Sequence, residues 1–338
     1  MPAAPIARHG ITLPEHYMAE HNVVSVSGGK DSTALLLLAQ TLEVPNMQAI
    51  FADTGHEHPQ TYEYLHYLAE ATGVPIRWIR ADFTADIARK RNYVETKWRE
   101  KGVPEAIVLS ALEVLHPTGV PFLDLCIMKG RFPSTRAAFC TEELKRNPII
   151  EQVMIPLMSP ENMVLSWQGV RLDESYSRRI RLQGTGACVK AVDAVGGGLF
   201  NYRPILRWTV ESVFEAHRVA GIKPNPLYSQ GCTRVGCMPC INSGKDELRE
   251  IAMRWPAEVD KVRRWEQLVS QASKRGAATF FCAVTDPTVI ATDRITHETH
   301  GIDRIIEWAQ TDRGGRQFNM FTELLDGTAC SSAYGLCE

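Results

Sequence analysis

The fold of this chain is decided by the stretch Ser27-Gly28-Gly29-Lys30-Asp31-Ser32. A short valine-rich segment, residues 22–26, precedes it, and a strongly helix-forming run, residues 33–40, follows it. This order predicts a buried strand, a glycine turn and a helix. Two adjacent glycines let the backbone turn tightly and direct several N–H groups at one point, close to the positive end of the helix. The turn therefore predicts a binding site for a phosphate group.

The polar side chains of this turn strengthen the case for a phosphate site. Ser27 and Ser32 supply hydroxyl donors, Lys30 supplies a compact cation, and Asp31 could position a magnesium ion or stabilise the turn. The alternative is an ordinary strand-to-helix turn, which two adjacent glycines alone would favour. The complete six-residue string favours the phosphate site.

Strands and helices alternate along the first two-thirds of the chain. Further strands are predicted at residues 48–52, 76–79 and 163–167, and a helix at residues 61–72 is predicted to end at Gly73. Such alternation predicts an α/β fold, a doubly wound and mostly parallel sheet with binding sites at the carboxyl ends of its strands. We expect an N-terminal extension (1–20), a nucleotide-binding α/β domain (21–225) and a mainly helical, cysteine-rich C-terminal region (226–338).

Composition and charge narrow the class of protein. Of the 338 residues, 44% are hydrophobic and 22% charged, which excludes wholesale disorder. The longest apolar stretch, residues 34–39, is far shorter than the roughly 18 residues of a membrane span, so no membrane partner is expected. Residues 1–16 lack the pattern of a secretory signal, which favours a cytoplasmic protein. A formal net charge of -2 does not indicate nucleic-acid binding by the chain as a whole, although a local basic groove is still an alternative.

Clustered cysteines predict a metal centre. Three of the nine cysteines, Cys232, Cys237 and Cys240, lie in a segment that also contains two glycines and a proline. Thiolates from such a turn suit either zinc or an iron–sulfur cluster. A C-x-x-C pair alone would leave metal binding and chance equally open, but the third cysteine favours metal binding. A fourth ligand must come from elsewhere in the chain.

The glycine turn lacks the spacing of a Walker loop and of the GxGxxG dinucleotide fingerprint. It resembles the SGGxDS loop of the PP-loop ATP pyrophosphatases, which implies an adenine nucleotide α-hydrolase-like fold and cleavage of ATP between its α and β phosphates. The segment FADTGHEHPQTY, residues 51–62, is similar to the DTGxxxPET segment of the phosphoadenosine phosphosulfate (PAPS) reductase branch. This resemblance implies that Asp53 and Thr54 help to hold the nucleotide. Without it, these residues could form only a turn.

A fourth cysteine, Cys140, lies in a segment that resembles the CTxxLKxxP segment of PAPS-reductase-like proteins. In the adenylylsulfate reductases of that superfamily, the same region supplies ligands to a [4Fe–4S] cluster. Phe139 stands where those reductases have a second adjacent cysteine, so Cys232 would complete the ligand set. This one-plus-three order is closest to the iron–sulfur ATP pyrophosphatase of DNA phosphorothioation systems. Zinc is the alternative metal.

An arginine-rich segment follows the strand predicted last. Its pattern GxRxxES, which contains Gly169 and Arg171, again resembles the PAPS-reductase-like branch and implies that these residues bind the nucleotide or its pyrophosphate. A guanidinium group binds phosphate through a planar two-point fork. Spacing alone would favour a solvated helix with carboxylate–arginine pairs. Arg178 and Arg179 are candidates for contacts to a second, anionic substrate.

The other cysteines are expected to play different roles. Cys126, Cys188 and Cys282 are isolated in the sequence and are predicted to be small core residues. Cys330 and Cys337 lie in a terminal segment that could swing a thiol into a distant site. This tail is distantly similar to the catalytic ECGLH terminus of sulfonucleotide reductases, but here the glycine and leucine precede the last cysteine.

These motifs predict an ATP pyrophosphatase that uses Mg²⁺ and forms AMP and pyrophosphate, with Lys30, Asp31 and Arg171 as catalytic residues. The enzyme would adenylylate an oxygen of its substrate for later replacement by sulfur. The resemblance implies a nucleic-acid or nucleotide substrate and a sulfur-donor protein as partners, with DNA phosphorothioation ahead of transfer-RNA thiolation. Two alternatives stay open: a PAPS or adenylylsulfate reductase, and a zinc-containing nucleotide-binding regulator. The sequence indicates no particular oligomeric state.

Overall fold

A computed structural model of the protein describes residues 21–159, 162–184, 188–192, 198–281 and 295–311. The predicted N-terminal extension and the cysteines at positions 282, 330 and 337 lie outside these ranges. The centre of the fold is a six-stranded sheet with the strands β1 (His21–Ser25), β2 (Met47–Ala52), β3 (Ile76–Ile79), β4 (Met163–Trp167), β5 (Cys188–Val192) and β6 (Gly198–Tyr202).

The strand order β3-β2-β1-β4-β6-β5 reverses direction between β1 and β4. All neighbours from β3 to β6 run parallel, and β5 pairs antiparallel with β6 at the edge. This confirms the predicted doubly wound, mostly parallel α/β sheet. In such a sheet, the crevice at the reversal, outside the carboxyl ends of the strands, is where ligands bind.

The central strands bury both of their faces. On β1, Val24 belongs to one hydrophobic cluster and Val23 to another, because successive side chains point to opposite sides of a strand. Phe51 and Ile50 divide in the same way on β2. Strands covered on both sides are nearly continuous in hydrophobic residues, which is why they can be recognised in the sequence.

Helices cover the sheet and build the C-terminal region. They are α1 (Lys30–Thr41), α2 (Pro59–Thr72), α3 (Thr84–Tyr93), α4 (Glu105–Val114), α5 (Pro121–Lys129), α6 (139–157), α7 (Tyr176–Leu182), α8 (Val210–Ala220), α9 (Lys245–Arg254), α10 (Pro256–Ala272), α11 (His297–His300) and α12 (Ile302–Ala309). As predicted, α2 ends at Gly73, which adopts the left-handed conformation at the helix end. Among the helices that the structure describes, none is both long and apolar enough to cross a membrane.

The sequence does not predict helix α6, because two prolines interrupt its helical pattern. Pro148 and Pro156 lack the N–H group that a regular helix needs. The helix nevertheless continues, because the wider π segments Glu142–Arg146 and Ile150–Met154 lie immediately before the two turns that contain these prolines. This helix carries Cys140 at its start and buries Met154 against the sheet.

The C-terminal helices pack on the helices that follow β3. A third hydrophobic cluster joins Trp98 and Phe122 from residues 83–132 to Trp265 and Phe280 from the C-terminal part. Helix α9 ends just before Pro256, where α10 begins. Cys232, Val235 and Met238 of the cysteine-rich segment before α9 belong to the same cluster.

A buried carboxylate ties α10 to two neighbouring segments. Glu266 is 1% exposed, and its two oxygens accept hydrogen bonds from the backbone N–H groups of Phe280 (2.7 Å) and Ile302 (2.9 Å). Burial raises the pKa of Glu266 to about 7, although both N–H donors act in the opposite direction. The folded protein therefore keeps a proton on Glu266 at pH values where the unfolded chain has lost it.

As the pH rises from about 4.5 to 7, we expect Glu266 to lower the free energy of unfolding. In this range the carboxyl group of the unfolded chain ionises freely, whereas the folded protein must keep a proton on Glu266 or bury its charge. The free energy of unfolding of Glu266→Gln, relative to the wild type, should rise across this range by up to about 3 kcal/mol. Urea unfolding at pH 5, 6, 7 and 8 measures this. Glu307→Gln, at an exposed site, is the control and should show a constant difference; a constant difference for Glu266→Gln as well would contradict the assignment.

Candidate active site

Three polar segments meet at the carboxyl edge of the sheet. Residues 27–32 follow β1, residues 53–57 follow β2, and residues 168–175 follow β4. Because β1 lies between β2 and β4, these segments are neighbours in space. They lie at the point where the strand order reverses, which is the expected ligand site of this architecture.

The glycine turn is closed by its own serines. The hydroxyl of Ser32 accepts a hydrogen bond from the N–H of Ser27 (3.0 Å), lies 3.0 Å from the Ser27 hydroxyl and donates to the carbonyl of Gly29 (3.1 Å). Gly28 has φ +82°, and a Cβ atom there would lie 2.9 Å from Cγ2 of Thr61. Glycine is required at this position by both its conformation and its space. The serines thus shape the turn that presents the N-terminus of α1.

Lys30, Asp31 and Arg171 form an ionic triad at the start of α1. The Asp31 carboxylate is 1% exposed; one oxygen lies 3.0 Å from Nζ of Lys30, and the other accepts a hydrogen bond from Nε of Arg171. Arg171 is 2% exposed, and its Nη1 also contacts the carbonyl of Trp208 and the carboxylate of Asp173, both at 3.3 Å. Arg171 therefore faces Asp31 and the protein interior, and it can influence a phosphate through Lys30 and Asp31.

The segment after β4 is packed against the glycine turn. A Cβ atom on Gly169 would lie 3.3 Å from the backbone of Asp31 and Ser32. Glu174 accepts a hydrogen bond from the N–H of Arg171 (2.8 Å) and forms an ion pair with Arg178. The glutamate of the GxRxxES pattern thus fixes the position of Arg171. Arg178 is bound to this glutamate, in agreement with the carboxylate–arginine pairing that its spacing favours.

The segment after β2 forms a tight turn around two acidic residues. One Asp53 oxygen accepts hydrogen bonds from the N–H of Gly55 and the hydroxyl of Tyr62, both at 2.8 Å, and the other pairs with Arg80 (3.0 Å). Thr54 is fully buried and donates its hydroxyl to Glu57 (2.8 Å). These contacts of Asp53 and Thr54 hold the shape of the turn after β2.

The cysteine-rich segment docks on this second turn. Cys237 forms a backbone bridge with Glu57, and the N–H of Met238 donates to the carbonyl of His56 (2.9 Å). The His56 ring is fully buried, and its Nε2 hydrogen-bonds the carbonyl of Pro239 (2.9 Å). Burial lowers the pKa of His56 well below its usual value, so the ring is neutral. His56 therefore links the turn after β2 to the cysteine-rich segment.

Three of the four predicted metal ligands lie together. Cys140, Cys237 and Cys240 interact electrostatically with one another and with Lys145. Burial first, and Cys240 next, raise the pKa of Cys140 to about 11. Burial, followed by the charge of Glu57, raises the pKa of Cys237, whereas Lys145 opposes this shift. The free thiols of Cys140 and Cys237 are thus neutral unless a cation binds them.

Cys232 has different neighbours. Burial raises its pKa to about 11, and the nearby charges are those of Glu247, Arg254 and Glu250. Within the ranges that the structure describes, no three Cys, His, Asp or Glu side chains are arranged to hold a metal ion. The arrangement does not fit a four-cysteine centre, so the [4Fe–4S] cluster and its zinc alternative stay predictions. Cys126, predicted to be a core residue, is fully buried in the third hydrophobic cluster; the side chain of Cys188 is outside the described part.

Residues far along the chain also hold the glycine turn. The hydroxyl of Tyr228 accepts a hydrogen bond from the N–H of Lys30 (2.9 Å), and Nε2 of His217 hydrogen-bonds the carbonyl of the same residue (2.9 Å). Asn225 donates to the carbonyl of Gly28 (3.2 Å). None of these three was predicted, because no local pattern indicates a contact between residues that are 187 to 198 positions apart in the sequence.

Comparisons with known proteins agree with the motifs. The family model described as the phosphoadenosine phosphosulfate reductase domain matches residues 21–243. A 37.8 kDa protein from the gpa 5′ region of Escherichia phage 186 is 47% identical over 330 residues, covering 94% of this chain and 96% of that protein. The phosphoadenosine 5′-phosphosulfate reductase of Baumannia cicadellinicola is 23% identical over 231 residues, covering 68% and 74%. The PAPS reductase of Candida auris, solved as a phosphate complex, is 15% identical with a TM-score of 0.38, covering 70% and 88%.

Proposed function

The chain belongs to the phosphoadenosine phosphosulfate reductase domain family, and from this membership we propose that it is an ATP pyrophosphatase that forms AMP and pyrophosphate. The observation that carries the proposal is the turn at residues 27–32, closed by its serines, with Lys30 beside the first N–H groups of α1. The helix N-terminus and the lysine together form an anion site for the β and γ phosphates of ATP.

The chemistry follows from the charge that develops on the departing pyrophosphate. A substrate oxygen, or water, attacks the α phosphorus, and the bond to the bridging oxygen of the β phosphate breaks. Lys30 and the amides of α1 stabilise the negative charge that moves onto pyrophosphate. Asp31, held by Lys30 and Arg171, positions the lysine.

Mg²⁺ would add charge neutralisation at the phosphates when bound. The carboxylates of Asp31 and Asp53 are already engaged by Lys30, Arg171 and Arg80. Phosphate oxygens and water would therefore supply most of the magnesium ligands, as is usual for this ion at nucleotide sites.

Adenylylation makes an oxygen a good leaving group, which a sulfur nucleophile can then replace. In this proposal, the acceptor is a nucleic acid or a nucleotide, and a sulfur-donor protein delivers the sulfur. Only the order of the cysteines in the sequence, and not a metal centre in the described part of the fold, favours DNA phosphorothioation as the reaction class.

A sulfonucleotide reductase is the second candidate, because the matching family model and the relative from Baumannia cicadellinicola carry that name. Such an enzyme would bind PAPS or adenylylsulfate and release sulfite without cleaving ATP. A nucleotide-binding regulator would bind ATP and turn over neither substrate.

Product analysis separates these functions. We expect the purified protein, incubated with ATP, Mg²⁺ and DNA oligonucleotides, to form AMP and pyrophosphate, and Lys30→Met to lower this rate by at least about 100-fold. Lys97→Met, at an exposed surface ion pair, is the matched control and should keep the rate. Sulfite release from PAPS would favour the reductase, and nucleotide binding without any product would overturn the enzymatic proposal.

A further inference from the structure

The short 3₁₀ turn Pro226–Gln230 contacts both the glycine turn and the cysteine-rich segment. On one side, the Tyr228 hydroxyl accepts the N–H of Lys30 (2.9 Å), and the Tyr228 ring centroid lies 5.3 Å from Nζ of the same lysine. On the other side, the carbonyl of Leu227 accepts the N–H of Cys232 (3.1 Å). One turn of chain therefore connects the amide of Lys30 with the first cysteine of the segment.

The N–H of Lys30 is the group that a phosphate would use. It belongs to the first helical residue of α1, and the first N–H groups of a helix have no partner within the helix. Anions bind at helix N-termini by accepting from these groups. An N–H group has a single hydrogen, so a phosphate oxygen and the Tyr228 hydroxyl compete for it.

The opposite side of the same residue is held independently. His217, which is buried on α8, hydrogen-bonds the carbonyl of Lys30 through Nε2 (2.9 Å). This contact fixes the start of α1 whether or not Tyr228 stays in place. A competing phosphate would therefore displace the turn Pro226–Gln230 and not helix α1.

Building on the proposed function, we propose that Tyr228 is a positioning residue for Lys30 that yields the Lys30 amide to a nucleotide phosphate. Its departure moves the turn Pro226–Gln230 and, through Leu227, loosens the backbone at Cys232. Occupancy of the glycine turn by ATP is in this way transmitted to the cysteine-rich segment. No covalent step is involved, only the exchange of one hydrogen-bond acceptor for another.

The test compares Tyr228→Phe with Tyr67→Phe. Tyr67 is the matched control, because its hydroxyl also accepts a backbone N–H, that of Lys223 (3.1 Å), away from the glycine turn. Amide hydrogen exchange is measured on the full chain with and without a non-cleavable ATP analogue, together with the dissociation constant of that analogue. Exchange of the buried residues 33–39 reports whether each variant is folded.

In the wild type and Tyr67→Phe, we expect the analogue to protect residues 28–33 and to speed exchange at residues 226–232 several-fold. In Tyr228→Phe, residues 226–232 should exchange quickly without the analogue and change little with it, and the analogue should bind about fivefold more tightly because its competitor is gone.

The outcomes distinguish this inference from the proposed function. Protection of residues 28–33 without any change at 226–232 would overturn the role of Tyr228 and leave the nucleotide site intact. Weaker analogue binding by Tyr228→Phe would also overturn it, because the hydroxyl would then assist the phosphate. An analogue that protects neither segment in the wild type would overturn the nucleotide site itself.

Discussion

Asp31→Asn is expected to lower the rate of AMP formation by at least about 100-fold and the free energy of unfolding by about 3 kcal/mol. The carboxylate compensates two cations, Lys30 and Arg171, and both it and the arginine are almost completely buried. An asparagine of the same size fills the site but removes the counter-charge beside Lys30 and leaves the buried Arg171 with the more exposed carboxylate of Asp173. Lys30 then loses the contact that directs it at the phosphates. Initial rates and urea unfolding measure the two effects.

Asp86→Asn is the matched control. Asp86 also pairs with an arginine, Arg89, but both side chains of this pair are exposed. Exposed pairs contribute at most about 1 kcal/mol, so the control should change neither rate nor stability by much. If Asp31→Asn behaved like Asp86→Asn, the triad would have no role in positioning Lys30.

A double variant separates loss of the carboxylate from loss of its partner. Arg171→Gln alone should also destabilise the protein, because it leaves Asp31 with Lys30 as its remaining cation. In the double variant with Asp31→Asn, the loss in the free energy of unfolding should be at least about 1 kcal/mol smaller than the sum of the two single losses. The reason is that neither buried charge is then left without its partner. Additive losses would show that the two side chains act independently.

The sheet and the glycine turn could be predicted because their signals are local. Short apolar segments mark β1 (Val23 and Val24) and β2 (residues 49–52), and Gly28 and Gly29 mark the place where the chain must turn before α1. The environment of the turn could not be predicted in the same way. Tyr228 and His217 reach it from segments that follow the last strand of the sheet, and these segments carry no pattern that indicates the contact.

The role of Arg171 shows a second limit of the sequence. The resemblance of the GxRxxES segment implies that Arg171 binds the nucleotide, whereas spacing alone favours a carboxylate partner. Which anion the arginine meets depends on the packing of Gly169 against the start of α1, which brings Asp31 within reach. The cysteines show the same limit, because their spacing groups Cys232 with Cys237, whereas the charged side chains near Cys232 in the fold are Glu247, Arg254 and Glu250.

His56→Ala is expected to lower the free energy of unfolding by about 3 kcal/mol, as for other large-to-small changes in a core. The ring centroid of His56 lies 4.6 Å from that of Phe122, 4.7 Å from Trp265 and 5.8 Å from Phe280. Alanine would leave a cavity among these rings and leave the carbonyl of Pro239 without its hydrogen bond. Urea unfolding gives the stability, and hydrogen exchange at residues 237–240 reports the local effect.

His56→Phe separates packing from hydrogen bonding. It keeps an aromatic ring at the site, so the loss should fall to about 1–2 kcal/mol, the cost of an unsatisfied buried carbonyl. Residues 237–240 should still exchange faster than in the wild type, because the second turn no longer holds Pro239. His66→Ala, at an exposed position beside Trp78, should stay within about 0.5 kcal/mol of the wild type. Should His56→Phe match the wild type in stability and exchange, the cysteine-rich segment would be held by the backbone contacts of Glu57 and Met238, and the histidine would contribute only volume.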